Sequence, residues 1–137
     1  MRKDILVVND NKEECNDLCE ALNRAKHQTI PLFSLISLEE KIKETACLAV
    51  ILDLNALSID NRLIKKLTIA NPEVYFFGLS EKRLNPEFQE SICYHIYACL
   101  NKPIDLDELL YWIESVCEEE SKPDLMRLGG SKMFLGC

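Results

Sequence analysis

The run Leu48-Ala49-Val50-Ile51-Leu52 holds no polar residue, and Asp53 follows it directly. A strand with one wet face alternates apolar and polar side chains; a strand covered on both faces does not. Residues 47–52 therefore read as an interior strand of a parallel sheet with helices on both sides. Three more apolar runs end on polar residues in the same way. Ile5-Leu6-Val7-Val8 leads to Asn9-Asp10, Val74-Tyr75-Phe76-Phe77-Gly78-Leu79 to Ser80, and Ala98-Cys99-Leu100 runs on to Lys102-Pro103. In a parallel α/β sheet the carboxyl ends of the strands share one edge, and ligands bind there. Two acids, a hydroxyl and an amine are thus expected at one rim. That set suits a divalent cation and a phosphoryl group held on a carboxylate.

Helical periods fall between these runs. Cys15, Leu18, Cys19, Leu22 and Ala25 share one face of a helix over about 12–26. A short strand at 28–33 follows, then an amphipathic helix capped by Ser34 or Ser37 and running through 43. Asp60 is placed to cap a helix over 61–70, and Asn71-Pro72 ends it, because the residue before proline avoids the α region. A fourth helix spans 86–95, with Pro86 in its first turn. The last, over 105–119, carries the stripe Leu106, Leu109, Leu110, Ile113, Val116 and Cys117. Five strands alternating with five helices make a doubly wound α/β sheet, since crossovers between parallel strands are right-handed.

Size and charge narrow the function. The chain has 137 residues, enough for one domain over 1–120 and a remainder at 121–137 that reads as a linker or tail toward an output domain. A formal net charge of -7 without a basic stripe excludes direct nucleic-acid contact by this domain, which would need clustered Lys and Arg. No apolar run approaches the ~20 residues of a membrane span. Met1-Arg2-Lys3-Asp4 leads straight into a strand without a signal-peptide region, so a cytoplasmic protein is expected. The 7 Cys include no Cys-x-x-Cys pair, which argues against structural zinc and for small reduced hydrophobes. His27 and His95 fall at helix ends and read as structural.

The set Asn9-Asp10, Asp53-Leu54-Asn55, Ser80 and Lys102-Pro103 resembles the receiver domain of two-component response regulators, of which the chemotaxis regulator is the minimal example. Successive separations of 43, 27 and 22 residues along Asp10, Asp53, Ser80 and Lys102 fit that family, and the likeness covers about 4–120. It implies a flavodoxin-like sheet in the order 2-1-3-4-5. It also implies phosphorylation of Asp53 by a histidine kinase or phosphotransfer protein. Asp10, Asp53 and the backbone carbonyl of Asn55 would hold Mg2+, an ion suited to oxygen ligands and retained waters. Lys102, aimed by a cis bond to Pro103, would neutralise charge, and Ser80 would hydrogen-bond the phosphoryl group. The surface formed by residues 86–95, strand five and the last helix would then change partner or form a homodimer, switching an output that is most often transcriptional. On this reading the chain is a signalling domain and not an enzyme, beyond its own phosphotransfer and dephosphorylation.

Departures from the family accompany the match. Asn9 stands where an acid usually reaches Mg2+ through water, so one negative charge is missing. Leu57 replaces a usual Pro, and Asn61 a usual Gly, as a residue tolerant of a left-handed turn. Glu81 stands where a small residue is usual, and could crowd or repel a phosphodonor. Cys99 occupies the usual place of an aromatic switch residue, with Tyr97 two residues early and expected on the same strand face. Asn9 and Glu81 support an alternative: a degenerate receiver that docks partners without phosphorylation. An enzyme on the same fold fits poorly. Asn9-Asp10-Asn11-Lys12-Glu13-Glu14 lacks the glycines of a flavin phosphate loop and the Asp-x-Asp of a haloacid-dehalogenase-type phosphatase.

Overall fold

A computed structural model describes residues 3–54, 59–81 and 96–121. Strand β1 (Asp4–Val8) leads into helix α1 (Lys12–Arg24), strand β2 (Thr29–Leu32), helix α2 (Leu38–Glu44) and strand β3 (Cys47–Asp53). Helix α3 (Asn61–Ala70), strand β4 (Tyr75–Ser80), strand β5 (Ala98–Asn101) and helix α4 (Leu106–Ser121) complete the described elements. The expected helix over 86–95, Asn55 and Leu57, Cys93 and Cys137, His95 and the tail beyond 121 lie outside the described residues.

All strands are parallel and their order is β2-β1-β3-β4-β5, the doubly wound order implied by the resemblance. β3 sits at the centre, and every one of its residues is buried, as its unbroken apolar run requires. Pro31 is tolerated because β2 is an edge strand, where a missing N–H breaks no interior ladder.

Strand alternation divides the core into two layers. Leu6, Val8, Val50, Leu52 and Phe76 pack with Leu38, Ile42, Ile64 and Leu67 of α2 and α3. Ile5, Val7, Ala49, Ile51, Phe77, Leu79, Ala98 and Leu100 pack with Cys15, Leu18, Cys19 and Leu22 of α1 and with Leu109, Ile113 and Val116 of α4. The helix faces read from periodicity are the faces that are buried.

Local chemistry sets the helix ends. Asn11 accepts a hydrogen bond from the Glu14 N–H at 3.1 Å and caps α1. Asp60 accepts from the Leu63 N–H at 2.9 Å and caps α3, with Asn71 at its other end. Asp105 accepts from the N–H groups of Asp107 and Glu108, so it caps α4 and is not its first residue. Ser37 occupies the N-cap position of α2 but makes no side-chain cap bond. Beyond α1, His27 Nε2 lies 3.5 Å from Glu114 Oε1 on α4.

Two local expectations are corrected. Asn61 is the first residue of α3 and is not left-handed; among the described residues, Lys26 alone has a positive φ without being glycine. Asp60 already starts the helix in extended geometry, so the following residue has no left-handed turn to make. Tyr97 does not share a face with Cys99. It stands just ahead of the regular strand, with its N–H bonded to the Phe76 carbonyl at 2.7 Å, and its ring packs edge-on against Tyr75, Phe77 and Trp112 in the α1/α4 layer. Cys99 packs on the opposite layer.

Candidate functional site

The alternation that builds the α1/α4 layer also aims the polar residues beyond it. Asn9 continues Ile5 and Val7, Asp53 continues Ala49 and Ile51, and Lys102 continues Ala98 and Leu100. Each therefore turns toward the same layer at the carboxyl edge of its strand. Ser80, the last residue of β4, alternates to the side of Phe76 and Gly78; its carbonyl accepts the Lys102 N–H at 2.8 Å, which ties the start of the Lys102-Pro103 loop to β4.

Asp53 is 1% exposed and Asn9 6%. A buried carboxylate needs partners: Asp53 Oδ2 pairs with the Lys102 ammonium and accepts from Asn9 Nδ2 at 3.1 Å. Asn9 Nδ2 also donates to Glu14 Oε2 at 3.2 Å, and Asn9 Oδ1 accepts the Asn11 N–H at 2.9 Å. Lys102 Nζ stands 3.7 Å from Glu14 Oε2. Burial alone would lower the Lys102 ammonium. The hydrogen bond and charge of Asp53, followed by the charges of Glu14 and Glu81, outweigh burial and hold it above its ordinary value. The Lys102–Pro103 peptide bond is cis.

A cavity of about 600 Å³ opens beside this network. Asn9, Glu14, Asp17, Asp53, Glu81 and Lys102 supply its polar lining, and Leu18, Ala21, Ile104 and Leu106 extend it as a largely apolar groove between α1 and the start of α4. Asp10 is exposed beside Asn9, and among the described residues its carboxylate has no hydrogen bond or ion pair. Glu81 is likewise exposed at the end of β4.

The donor set suits a hard cation. Mg2+ takes oxygen ligands, keeps several waters and needs only one or two carboxylates, and Asp10 and Asp53 flank one strand edge. Among the described residues, no group of three or more His, Cys, Asp and Glu side chains gathers as a metal site, so a cation here would rest on Asp10 and Asp53 with backbone and water oxygens.

Reading the sequence alone missed Glu14. Its signal was present: three residues after the capping Asn11 it must lie in the first turn of α1, at the strand edge. The direction of its side chain depends on where Asn9 places its amide, and no local pattern carries that.

No protein-family model matches the chain, and no curated protein matches it. Solved structures do. A two-component response regulator from Clostridium difficile superposes with a TM-score of 0.78 at 15% identity, over 88% of this chain and 100% of that one. NtrX from Brucella abortus, solved with ATP, is 26% identical with a TM-score of 0.73 over 86% of this chain, which spans 27% of NtrX. The beryllofluoride-activated NtrC4 receiver domain dimer is 23% identical with a TM-score of 0.75, over 86% of this chain and 98% of that one. The chain has the fold of the receiver domains of two-component response regulators.

Proposed function

We propose that this chain is a phosphoacceptor receiver, charged on Asp53 by a histidine kinase or phosphotransfer protein. One observation carries the reading: a buried carboxylate at the carboxyl edge of the central strand is paired with the ammonium of a lysine at the edge strand beside the same rim. Burial keeps competing water away, and the pairing places the carboxylate beside the cation that the incoming phosphoryl group needs. An Asp53 oxygen would attack phosphorus. The O–P bond forms as the N–P bond of a phosphoimidazole breaks, and the bonding pair stays on the ring nitrogen. Such transfer asks mainly for positioning and charge neutralisation. Lys102 would shift from the carboxylate to the phosphoryl oxygens, and Ser80 would donate its hydroxyl to one of them. Asp10, Asp53 and the Asn55 carbonyl would hold Mg2+, with Asn9 orienting one of its waters. When bound, that ion supplies further neutralisation of the transferring group.

Drawing Lys102 and Ser80 toward the phosphoryl group pulls on β5 and on the end of β4, which the Lys102 N–H to Ser80 carbonyl bond already joins. The readout we propose runs through β5, α4 and residues 86–95, which lie outside the described residues, by a change of partner or by homodimerisation. The NtrC4 receiver, with which this chain shares its fold, is a dimer in its activated form. A transcriptional output and the role of 121–137 as the link to it belong to the same proposal.

A second reading has its own support. Asn9 gives the site an amide in place of an acid, and it satisfies Asp53 directly. A site that is internally paired in this way suits a docking module that works without phosphorylation.

Intact mass after incubation with acetyl phosphate, with and without Mg2+, separates the two. A Mg2+-dependent gain of one phosphoryl group, absent in Asp53→Ala, is expected of the receiver. No gain, together with no change in the amide NMR spectrum on adding beryllofluoride, would leave the docking module.

A further inference from the structure

We propose that Glu14 is a positioning residue that competes with the incoming phosphoryl group for the Lys102 ammonium, and so limits the rate at which Asp53 is charged. The inference rests on the reading of Asp53 as the phosphoacceptor.

Glu14 is the third residue beyond Asn11, and Asn11 accepts its N–H. In a capping box the side chain at that position turns back to the N–H of the cap residue. Here the Asn11 N–H is already donated to Asn9 Oδ1 at 2.9 Å. Glu14 has no cap bond left to make and turns into the site. Its Oε2 accepts from Asn9 Nδ2 at 3.2 Å and lies 3.7 Å from Lys102 Nζ.

The amide of Asn9 is what makes this placement tolerable. It donates to Asp53 and to Glu14 at once, so two carboxylates approach one another across a neutral donor pair. An acid at position 9 would face both with like charge. The carboxylate missing from the strand end is thus present on the first turn of α1, but bound to the lysine.

The charges then conflict. Among the described residues lining the cavity, Lys102 is the one cationic side chain, and Asp53, Glu14, Asp17 and Glu81 line it with negative charge. A phosphoryl group on Asp53 replaces the single carboxylate charge with nearly two on the phosphoryl oxygens, a net gain of about one negative charge. It needs the ammonium that Glu14 partly holds. The Glu14 side chain is 54% exposed, so solvent screens its pull and the effect is a modest change in rate, not a block.

The test is the initial rate of Asp53 phosphorylation by acetyl phosphate, at low ionic strength with Mg2+, in the whole chain and in Glu14→Gln and Glu13→Gln. Glutamine keeps an acceptor for Asn9 and removes the charge. Glu13 sits on the same turn, is exposed and changes net charge equally, so it controls for the field of the whole protein. Glu14→Gln is expected to be about three- to fivefold faster, near the upper end of what an exposed ion pair supplies. Glu13→Gln is expected to match the wild type. The gap between Glu14→Gln and wild type should close in ~1 M salt, where the screening length falls to ~3 Å. Equal or slower charging of Glu14→Gln, equal acceleration by Glu13→Gln, or a gap indifferent to salt would overturn the role of Glu14 and leave the phosphoacceptor reading standing. No phosphoryl group on any of the three would overturn that reading itself.

Discussion

Asn9 donates to two carboxylates, Asp53 and Glu14, while its carbonyl oxygen holds the Asn11 N–H. Replacing it by aspartate would keep the last bond and turn both donors into a like charge against buried Asp53. Asn9→Asp is therefore expected to lose about 1–3 kcal/mol of stability at neutral pH, the cost of an unpaired buried acceptor. The new carboxyl would have a folded-state pKa raised above its unfolded value near 4. Its penalty should vanish below that pH and grow as pH rises through the raised value. In a Glu14→Gln background the loss should shrink, because the two sites are in contact and their effects couple. Urea unfolding of both variants across pH, in chelator, checks this. At this scale the residue types at 9, 53 and 102 were legible, because each ends an apolar run. The Asn9–Glu14 contact was not, because it depends on which of two acceptors the Asn11 N–H chooses.

Between elements, close approach decides more than propensity. Gly78 lies in the middle of β4, a strand otherwise of apolar and aromatic residues, where glycine is unfavourable by itself. A Cβ there would meet Leu54 Cδ1 at 2.9 Å and Cγ at 3.4 Å. Leu54 follows Asp53 immediately and its N–H bonds to the Leu79 carbonyl at 2.8 Å, so its packing over Gly78 helps set where β3 delivers the carboxylate. Gly78→Ala is expected to cost about 1–2 kcal/mol by overpacking, with Leu54 rotating away. Thermal or urea unfolding measures the cost. A variant as stable as the wild type would show that Leu54 yields freely. Strands and helix faces were legible here from periods of two and of 3.6 residues. Tyr97 was misread because the regular strand begins only at Ala98; Tyr97 stands just ahead of it and does not keep the alternation of faces, although its N–H bonds to the Phe76 carbonyl at 2.7 Å.

The molecule as a whole buries Cys15, Cys19 and Cys47 between sheet and helices. Burial pushes Cys15 up to about 11, with the neighbouring Cys19 adding to it, and pushes Cys47 up to about 12. These thiols stay neutral when folded, whereas in the unfolded chain they ionise near 8.5. Raised folded values mean that their contribution to stability is fully present below about pH 8.5 and is lost as pH rises toward 11 and beyond. Stability should therefore decline above that pH, and Cys15 and Cys47 should resist alkylation at pH 8 until the chain unfolds. Rapid labelling of either in the native protein would contradict the packing.

By itself the sequence determined the strand and helix pattern, the interior position of β3 and the polar residues at the strand ends, because periodicity and apolar runs are local properties. Tertiary structure alone decided that Glu14 joins Asn9, Asp53 and Lys102, that Tyr97 turns to the α4 side, and that the site opens onto a groove between α1 and α4. Those outcomes depend on which buried donor meets which acceptor, and on contacts between residues far apart in the chain.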